Sequence, residues 1–99
     1  MKAVLLFRQR MALRKGTFKE ISVWILPRRL SGSNHPYKYR MALVDAGVCV
    51  LRYDNEAGKG DQRHMGSREE PYAFTTIERL CDDFETSVRT YLDGHPDHR

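Results

Sequence analysis

Apolar residues near the end of the chain recur at helical spacing and set the first limit on its fold. The stripe consists of Ile77, Leu80, Cys81, Phe84, Val88, Tyr91 and Leu92. This spacing predicts an amphipathic helix over residues 76–93 with one apolar face. Thr75 and Glu78 form a predicted capping box at its start, and Gly94 predicts its end. With one such helix, the rest of the core must come from strands.

Four earlier segments have the alternating apolar pattern or the β-branched content of strands. They cover residues 4–13, 17–26, 37–43 and 48–53. Short turn signals, Lys15-Gly16 and Asp45-Ala46-Gly47, separate the first strand from the second and the third from the fourth. The sequence therefore predicts an α+β fold, a four-stranded antiparallel β-meander with one C-terminal amphipathic helix packed on one face.

Residues 1–94 are predicted to form a single domain, with residues 95–99 as a frayed tail. One helix can cover only one face of the sheet, so the second face must meet solvent, a partner protein or another copy of the chain. We expect a homodimer or a partner protein there. A chain of 99 residues has no room for a second domain or for a large interior cofactor cavity.

The longest apolar run near the start has five residues, Ala3-Val4-Leu5-Leu6-Phe7. It is too short for a signal-peptide core or a membrane span, so we expect a cytoplasmic protein that does not interact with membranes. Cys49 and Cys81 lie within apolar patterns and are interpreted as buried, reduced thiols.

Charge is distributed unevenly along the chain. Residues 1–40 carry a net charge of +9, and residues 41–99 carry −5. Alternation places Lys38 and Arg40 on one face of their strand and Arg8 and Arg10 on one face of theirs, where Trp24 can lie beside them. Cations for the backbone and rings for unstacked bases suit single-stranded RNA. The alternative is a solvated edge whose charges prevent strand pairing.

A segment of about twenty residues, 54–74, separates the fourth strand from the helix and is predicted to be an ordered functional loop. Gly58-Lys59-Gly60 could approach a phosphate but lacks the spacing of a nucleoside-triphosphate loop. His64, three residues after Asp61, is a candidate proton-transfer group with a candidate orienting carboxylate. The alternative for His64 is a loop histidine bonded to the backbone.

The same segment contains five potential metal ligands, Asp54, Asp61, His64, Glu69 and Glu70. Their spacing matches no metal motif, and the neighbouring Lys59, Arg63 and Arg68 would repel a cation. We therefore expect no metal site and no other cofactor. Motifs of serine hydrolases and dithiol redox proteins are absent from the sequence.

Three stretches follow one another in the sequence: Arg52-Tyr53-Asp54-Asn55, the run from Gly58 to His64, and Arg68-Glu69-Glu70-Pro71-Tyr72 with Phe74. Together they resemble the TumE family of prokaryotic toxin–antitoxin toxins. The resemblance extends over residues 37–92. It implies a small cytosolic toxin encoded beside a DNA-binding antitoxin that neutralises it by direct contact. The family's usual loop has histidine where this chain has Gln62.

From these residues and by analogy with other toxins of this size, we expect a toxin that acts on RNA as a metal-independent endoribonuclease. Asp61 or Asp54 would be the base and His64 the acid, with Lys59, Arg63 and Arg52 holding the phosphate. Further RNA contacts are expected from Arg68, Arg40 and Lys38. The alternative is a non-catalytic RNA- or protein-binding module neutralised by the antitoxin. Alanine at Asp61, Arg63 or His64 is expected to change stability little, because all three are expected in a loop.

Overall fold

The computed structural model describes residues 2–96, which form a six-stranded antiparallel sheet and one α-helix. The strands lie side by side in chain order, each paired with the next. Their bounds are β1 Val4–Arg14, β2 Thr17–Ile25, β3 Tyr37–Asp45, β4 Val48–Glu56, β5 Gly60–Met65 and β6 Arg68–Pro71, and helix α1 follows at Ile77–Gly94. The α+β class, the meander and the helix are confirmed.

The predicted number of strands, four, is wrong, because β5 and β6 occupy about half of the segment predicted as a loop. Gly58 and Gly66 adopt positive φ angles of 83° and 61° at the two turns that bound β5, a conformation that glycine adopts at little cost. Strand β5 has polar residues on both faces, and this composition hides the alternation by which a half-buried strand is recognised.

The two faces of the sheet differ in chemistry. Helix α1 covers one face, where its Leu80, Phe84 and Val88 are buried. They pack with strand residues from β2, β3 and β4, namely Ile21, Val23, Tyr39, Met41, Leu43, Leu51 and Tyr53. We call the opposite side the open face. Because side chains alternate along a strand, it carries the residues between these core positions, most of them polar.

The helix begins one residue later than the capping prediction requires. Thr76, not Thr75, is the N-cap, and its Oγ1 accepts a hydrogen bond from the Arg79 backbone N–H at 3.0 Å. Glu78 therefore does not occupy the capping-box position. At the other end, the His95 N–H donates to the Leu92 carbonyl, and the His95 ring stacks on Tyr91. Of the predicted frayed tail, residues 97–99 lie outside the described residues.

Thr76→Ala is expected to lower the free energy of unfolding by about 1 kcal/mol, because an N–H in the first turn loses its acceptor. For a domain of this size the melting temperature should fall by about 4–8 °C. Thr75→Ala is the matched control and should leave the melting temperature nearly unchanged. Equal shifts in the two variants would contradict the assignment of Thr76 as the cap.

The residues between β2 and β3 pack against the β4–β5 turn. The Gly58 N–H donates to the Ser31 carbonyl at 2.8 Å, and the Lys59 N–H donates to the Glu56 carbonyl at 3.0 Å. A Cβ on Gly60 would lie 2.6 Å from the Gly32 carbonyl oxygen, so the close approach requires glycine there. The Gly58 and Lys59 N–H groups are thus used within the protein, which argues against the phosphate contact that this segment could make.

Two further observations concern the surface. Cys49 is exposed and Cys81 is half-buried, so the expectation that Cys49 is buried is wrong, and both thiols are free.

No helix within residues 2–96 is long and apolar enough to cross a membrane.

Candidate functional site

Charged side chains gather on the open face where β4, β5 and β6 pair. Arg52 on β4 lies opposite His64 on β5, and His64 lies opposite Glu69 on β6. Asp54 is two residues along β4 from Arg52 and therefore shares its face. We call Arg52, Asp54, His64 and Glu69 the His64 cluster.

The His64 ring lies between two carboxylates and against a guanidinium. Its Nε2 is 3.7 Å from Asp54 Oδ1, and its Nδ1 is 3.6 Å from Glu69 Oε2. The terminal nitrogen of Arg52 is 3.1 Å from His64 Nε2. A guanidinium only donates hydrogen bonds, so this contact requires a ring nitrogen that accepts. Three charged groups, the guanidinium and the two carboxylates, therefore surround the imidazole.

Arg52 retains a donor without a hydrogen-bond partner. Its Nε is buried and lies 3.1 Å from Asp54 Oδ2, but no hydrogen bond with suitable geometry forms there. A buried donor without a partner is uncommon in folded proteins. Arg52 and His64 also line a cleft of about 250 Å³ with Cys49, Val50, Leu51 and Gly66. An anion that entered this cleft would meet both side chains.

Lys59 extends the cluster from the β4–β5 turn. Its Nζ lies 3.2 Å from Glu69 Oε1 and 3.8 Å from Glu56 Oε2, and its side chain is about half exposed. Lys59, Arg52, Asp54 and His64 are the residues that the sequence predicted for one site and that the structure brings together. Glu69 on β6, which the sequence indicated only as a possible metal ligand, belongs with them because it lies opposite His64 on β5.

Asp61 does not belong to this group. It lies three residues from His64 on the same strand, so the two side chains point to opposite faces. The Asp61 carboxylate is nearly buried and accepts hydrogen bonds from Ser33 Oγ at 2.9 Å and Tyr39 OH at 2.7 Å. His35 Nε2 lies 2.7 Å from the same carboxylate. Asp61 therefore holds the β2–β3 connection against β5 and does not orient His64.

The partners of Asp61 are themselves ordered by neighbouring groups. His35 Nδ1 accepts a hydrogen bond from the Tyr37 N–H, which leaves Nε2 as the donor to Asp61. Its ring stacks on Phe74 with ring centroids 3.7 Å apart. Burial raises the pKa of Tyr39, and the hydrogen bond to Asp61 raises it further, so the phenol stays protonated as a donor. Sequence reasoning missed this network because its members are far apart in the chain.

Arg63 also points away from the His64 cluster, toward the helix side. Its Nε donates to Glu70 Oε1 at 2.8 Å, and its guanidinium lies 5.9 Å from the Tyr53 ring centroid. The hydrogen bond to Arg63 lowers the pKa of Glu70, so this carboxylate stays ionised at neutral pH. The structure thus separates Arg63 from Lys59 and Arg52, with which it was expected to hold phosphate.

The remaining predicted RNA contacts are divided between the two faces. Arg40 is exposed on the open face, in register with Asp54. Lys38 shares that face, but its ammonium contacts the Asn55 carbonyl. Arg68 lies opposite Met65, which packs against the core on the helix side. Within residues 2–96 no group of three or more histidine, cysteine or acidic side chains has the arrangement of a metal site.

Comparison with known proteins gives one family. A family model described as Toxin TumE matches residues 3–92, which is most of the chain and includes every strand and nearly the whole helix. No curated protein and no solved structure gives a significant match.

Proposed function

The chain belongs to the TumE toxin family, and from that membership we propose that it is the toxin of a toxin–antitoxin pair that acts on RNA as a metal-independent endoribonuclease. The observation that carries the catalytic part is the His64 cluster. It combines an imidazole between two carboxylates with the guanidinium of Arg52, and both the imidazole and Arg52 line a cleft. These are the groups that cleavage by an internal 2′-hydroxyl requires.

In the proposed reaction, Asp54 removes the proton from the 2′-hydroxyl, and the resulting oxygen attacks the adjacent phosphorus. Arg52 and Lys59 stabilise the negative charge that develops on the pentacoordinate phosphate. The bond between phosphorus and the 5′-oxygen breaks as His64 donates a proton to that oxygen. The products are a 2′,3′-cyclic phosphate and a 5′-hydroxyl, and neither a metal ion nor an oxidant is needed.

The alternative function is a non-catalytic binding module. It is favoured by the pairing of the cluster's charges with one another, since Arg52 lies near Asp54 and Lys59 near Glu69 in the free protein. Such pairs can also form a surface that a partner protein recognises. The proposed cleavage requires RNA phosphate to displace these contacts, whereas the binding module does not require any bond to break.

The test is to express the chain in a host cell and sequence the 5′ ends of cellular RNA after induction. New 5′-hydroxyl ends that appear with growth arrest support cleavage. Growth arrest without new ends would contradict the endoribonuclease and leave the toxin role in place. In vitro, purified protein should cleave RNA in excess chelator, and loss of cleavage in chelator would contradict the metal-independent reaction.

RNA binding is expected to weaken steeply with salt. We expect phosphate contacts from four cations on the open face: Arg8, Arg40, Arg52 and Lys59. Four contacts to a single strand give a slope of log K on log salt of about −3, at roughly −0.7 per phosphate. Fluorescence anisotropy of a labelled RNA across a salt series measures this slope. A slope near zero would mean that the basic residues are only solvated.

The partner and assembly state are further parts of this proposal. A toxin family implies a cognate antitoxin, and we propose a DNA-binding protein encoded nearby that neutralises the toxin by direct contact in the cytoplasm. The homodimer stays a prediction. Co-expression with the neighbouring gene should restore growth, and the two proteins should copurify.

A further inference from the structure

The open face has a second group of basic side chains, over β1, β2 and β3. We propose that it is a nucleotide subsite, in which an arginine-lined cleft binds a phosphate and Trp24 stacks on the base of a single-stranded RNA. This inference rests on the proposed RNA substrate and adds a place where that substrate is held away from the His64 cluster.

The phosphate part is a cleft of about 260 Å³ lined by Arg8, Gln9, Arg10, Glu20, Ile21, Ser22 and Arg40. Glu20 lies 3.4 Å from Arg10 and 3.7 Å from Arg40. Arg8 makes no ion pair within the part of the chain that the structure describes. Three guanidinium groups and one carboxylate leave a local charge of +2, and guanidinium groups match the geometry of phosphate oxygens.

The base part is Trp24, the single tryptophan of the chain. It lies on β2 between Leu5 of β1 and Lys38 of β3, and it is half-buried. The guanidinium carbon of Arg8 lies 5.7 Å from the centre of its ring. An aromatic ring beside an unpaired cation can stack on a base while the cation binds the neighbouring phosphate.

Prevention of strand pairing at the sheet edge does not account for all of these residues. Arg8 and Arg10 lie on the edge strand β1, where charges are expected to prevent pairing with another chain. Trp24 and Arg40 lie on β2 and β3, which have strands on both sides and need no such protection. A large aromatic side chain among arginines on an interior strand therefore points to a ligand.

The subsite and the His64 cluster share one surface. His64 on β5 is three strand spacings away from Ser22 and Glu20 on β2. At ~4.8 Å per spacing, this separation is on the order of 14 Å. Arg40 lies between them, in register with Ser22 and with Asp54. A single strand of a few nucleotides can therefore bind Trp24 and place a later phosphate at His64.

The test uses the fluorescence of Trp24, which reports directly on stacking because the chain has no other tryptophan. The protein carries His64→Ala so that the RNA stays intact. A short oligouridylate should quench the emission as it binds. A backbone of the same length and charge without bases should bind through its phosphates but quench little. Equal quenching by the two would overturn the base contact.

Substitutions at two positions, Trp24 and Arg8, test the two halves of the subsite. Trp24→Leu should weaken binding of labelled oligouridylate by about 5- to 150-fold, and Trp24→Phe should weaken it less. Met11→Ala is the control, because Met11 is exposed on the other face of β1. Arg8→Gln should reduce the magnitude of the salt slope by about 0.7. Arg89→Gln, on the exposed surface of the helix, should leave it unchanged.

The outcomes separate this inference from the proposed reaction. Quenching without any RNA cleavage by the unsubstituted protein would retain the subsite and contradict the endoribonuclease. Cleavage without quenching, with unchanged affinity in Trp24→Leu, would retain the reaction and overturn the subsite. Quenching by polyglutamate but not by RNA would contradict a nucleotide as the ligand and would indicate an acidic protein partner for this surface.

Discussion

His64→Ala is expected to lower the rate of RNA cleavage by about 100-fold or more, with a change in folding free energy of no more than about 1 kcal/mol. The imidazole is the group placed to transfer a proton, since it borders the cleft and lies near two carboxylates. It lies on the open face, opposite Arg52, whereas the core lies on the helix side of the sheet, so its loss leaves the core intact. Single-turnover cleavage of a labelled RNA measures the chemical step.

Arg63→Ala is the matched control because it changes the adjacent residue on the opposite face. Per folded molecule, the variant should cleave RNA at close to the unsubstituted rate, since Arg63 binds Glu70 on the helix side. If His64→Ala still arrests growth and cleaves RNA at the original rate, the His64 cluster is not the active site. If Arg63→Ala loses activity while it remains folded, the RNA must reach the helix side.

Arg52→Lys tests how the phosphate is held within the same experiment. Arg52→Ala should lose most of the activity, and lysine should restore only part of it, because an ammonium lacks the paired donors of guanidinium. Full activity in Arg52→Lys would mean that charge alone is sufficient at this position.

Asp61→Ala is expected to lower the free energy of unfolding by about 3 kcal/mol or more, because three buried donors lose the carboxylate that accepts their hydrogen bonds. The change leaves Ser33 Oγ, Tyr39 OH and His35 Nε2 without the carboxylate that they contact. Each buried polar group left without a partner is destabilising by about 1–3 kcal/mol. The sequence alone predicts a small effect because it places Asp61 in a loop, whereas the structure places it on β5 with a nearly buried carboxylate.

Urea unfolding monitored by circular dichroism measures this change. Asp93→Ala, which removes an exposed carboxylate near the end of the helix, is the control and should shift the midpoint little. Asp61→Asn should fall between the two, because the amide keeps one acceptor oxygen. An unchanged midpoint in Asp61→Ala would contradict a structural role for the network. Loss of cleavage with unchanged stability would return Asp61 to the list of candidate bases.

The helix and the first four strands could be predicted because their signals are local. The stripe from Ile77 to Leu92 repeats at the helical period, and the alternation from Tyr37 to Leu43 repeats at the strand period. In both segments, the spacing of apolar residues along the chain shows which face is buried. The capping residue was missed by one position because Thr75 and Thr76 are chemically equivalent, and only the backbone distinguishes which oxygen faces the first turn.

The candidate site could be predicted only as a set of residue types. His64, Asp54, Arg52 and Lys59 are visible in the sequence, but so are Asp61 and Arg63, which have the same chemistry. Once residues 60–65 are known to form a strand, the alternation of side chains separates Asp61 and Arg63 from His64. No apolar alternation reveals that strand, since Asp61 and Arg63 are charged and Met65 alone among these three helix-side residues is apolar.

The fold class, the amphipathic helix, the uneven charge and the residues that identify the family follow from the amino-acid order, because each depends on neighbours along the chain. Which charged residues share a surface depends on how the strands pair. Asp61 meets Ser33 and His35 across 28 and 26 positions, and Arg52 meets His64 across a strand pair. Burial of a polar group depends on partners that the fold brings together, and no local pattern encodes that pairing.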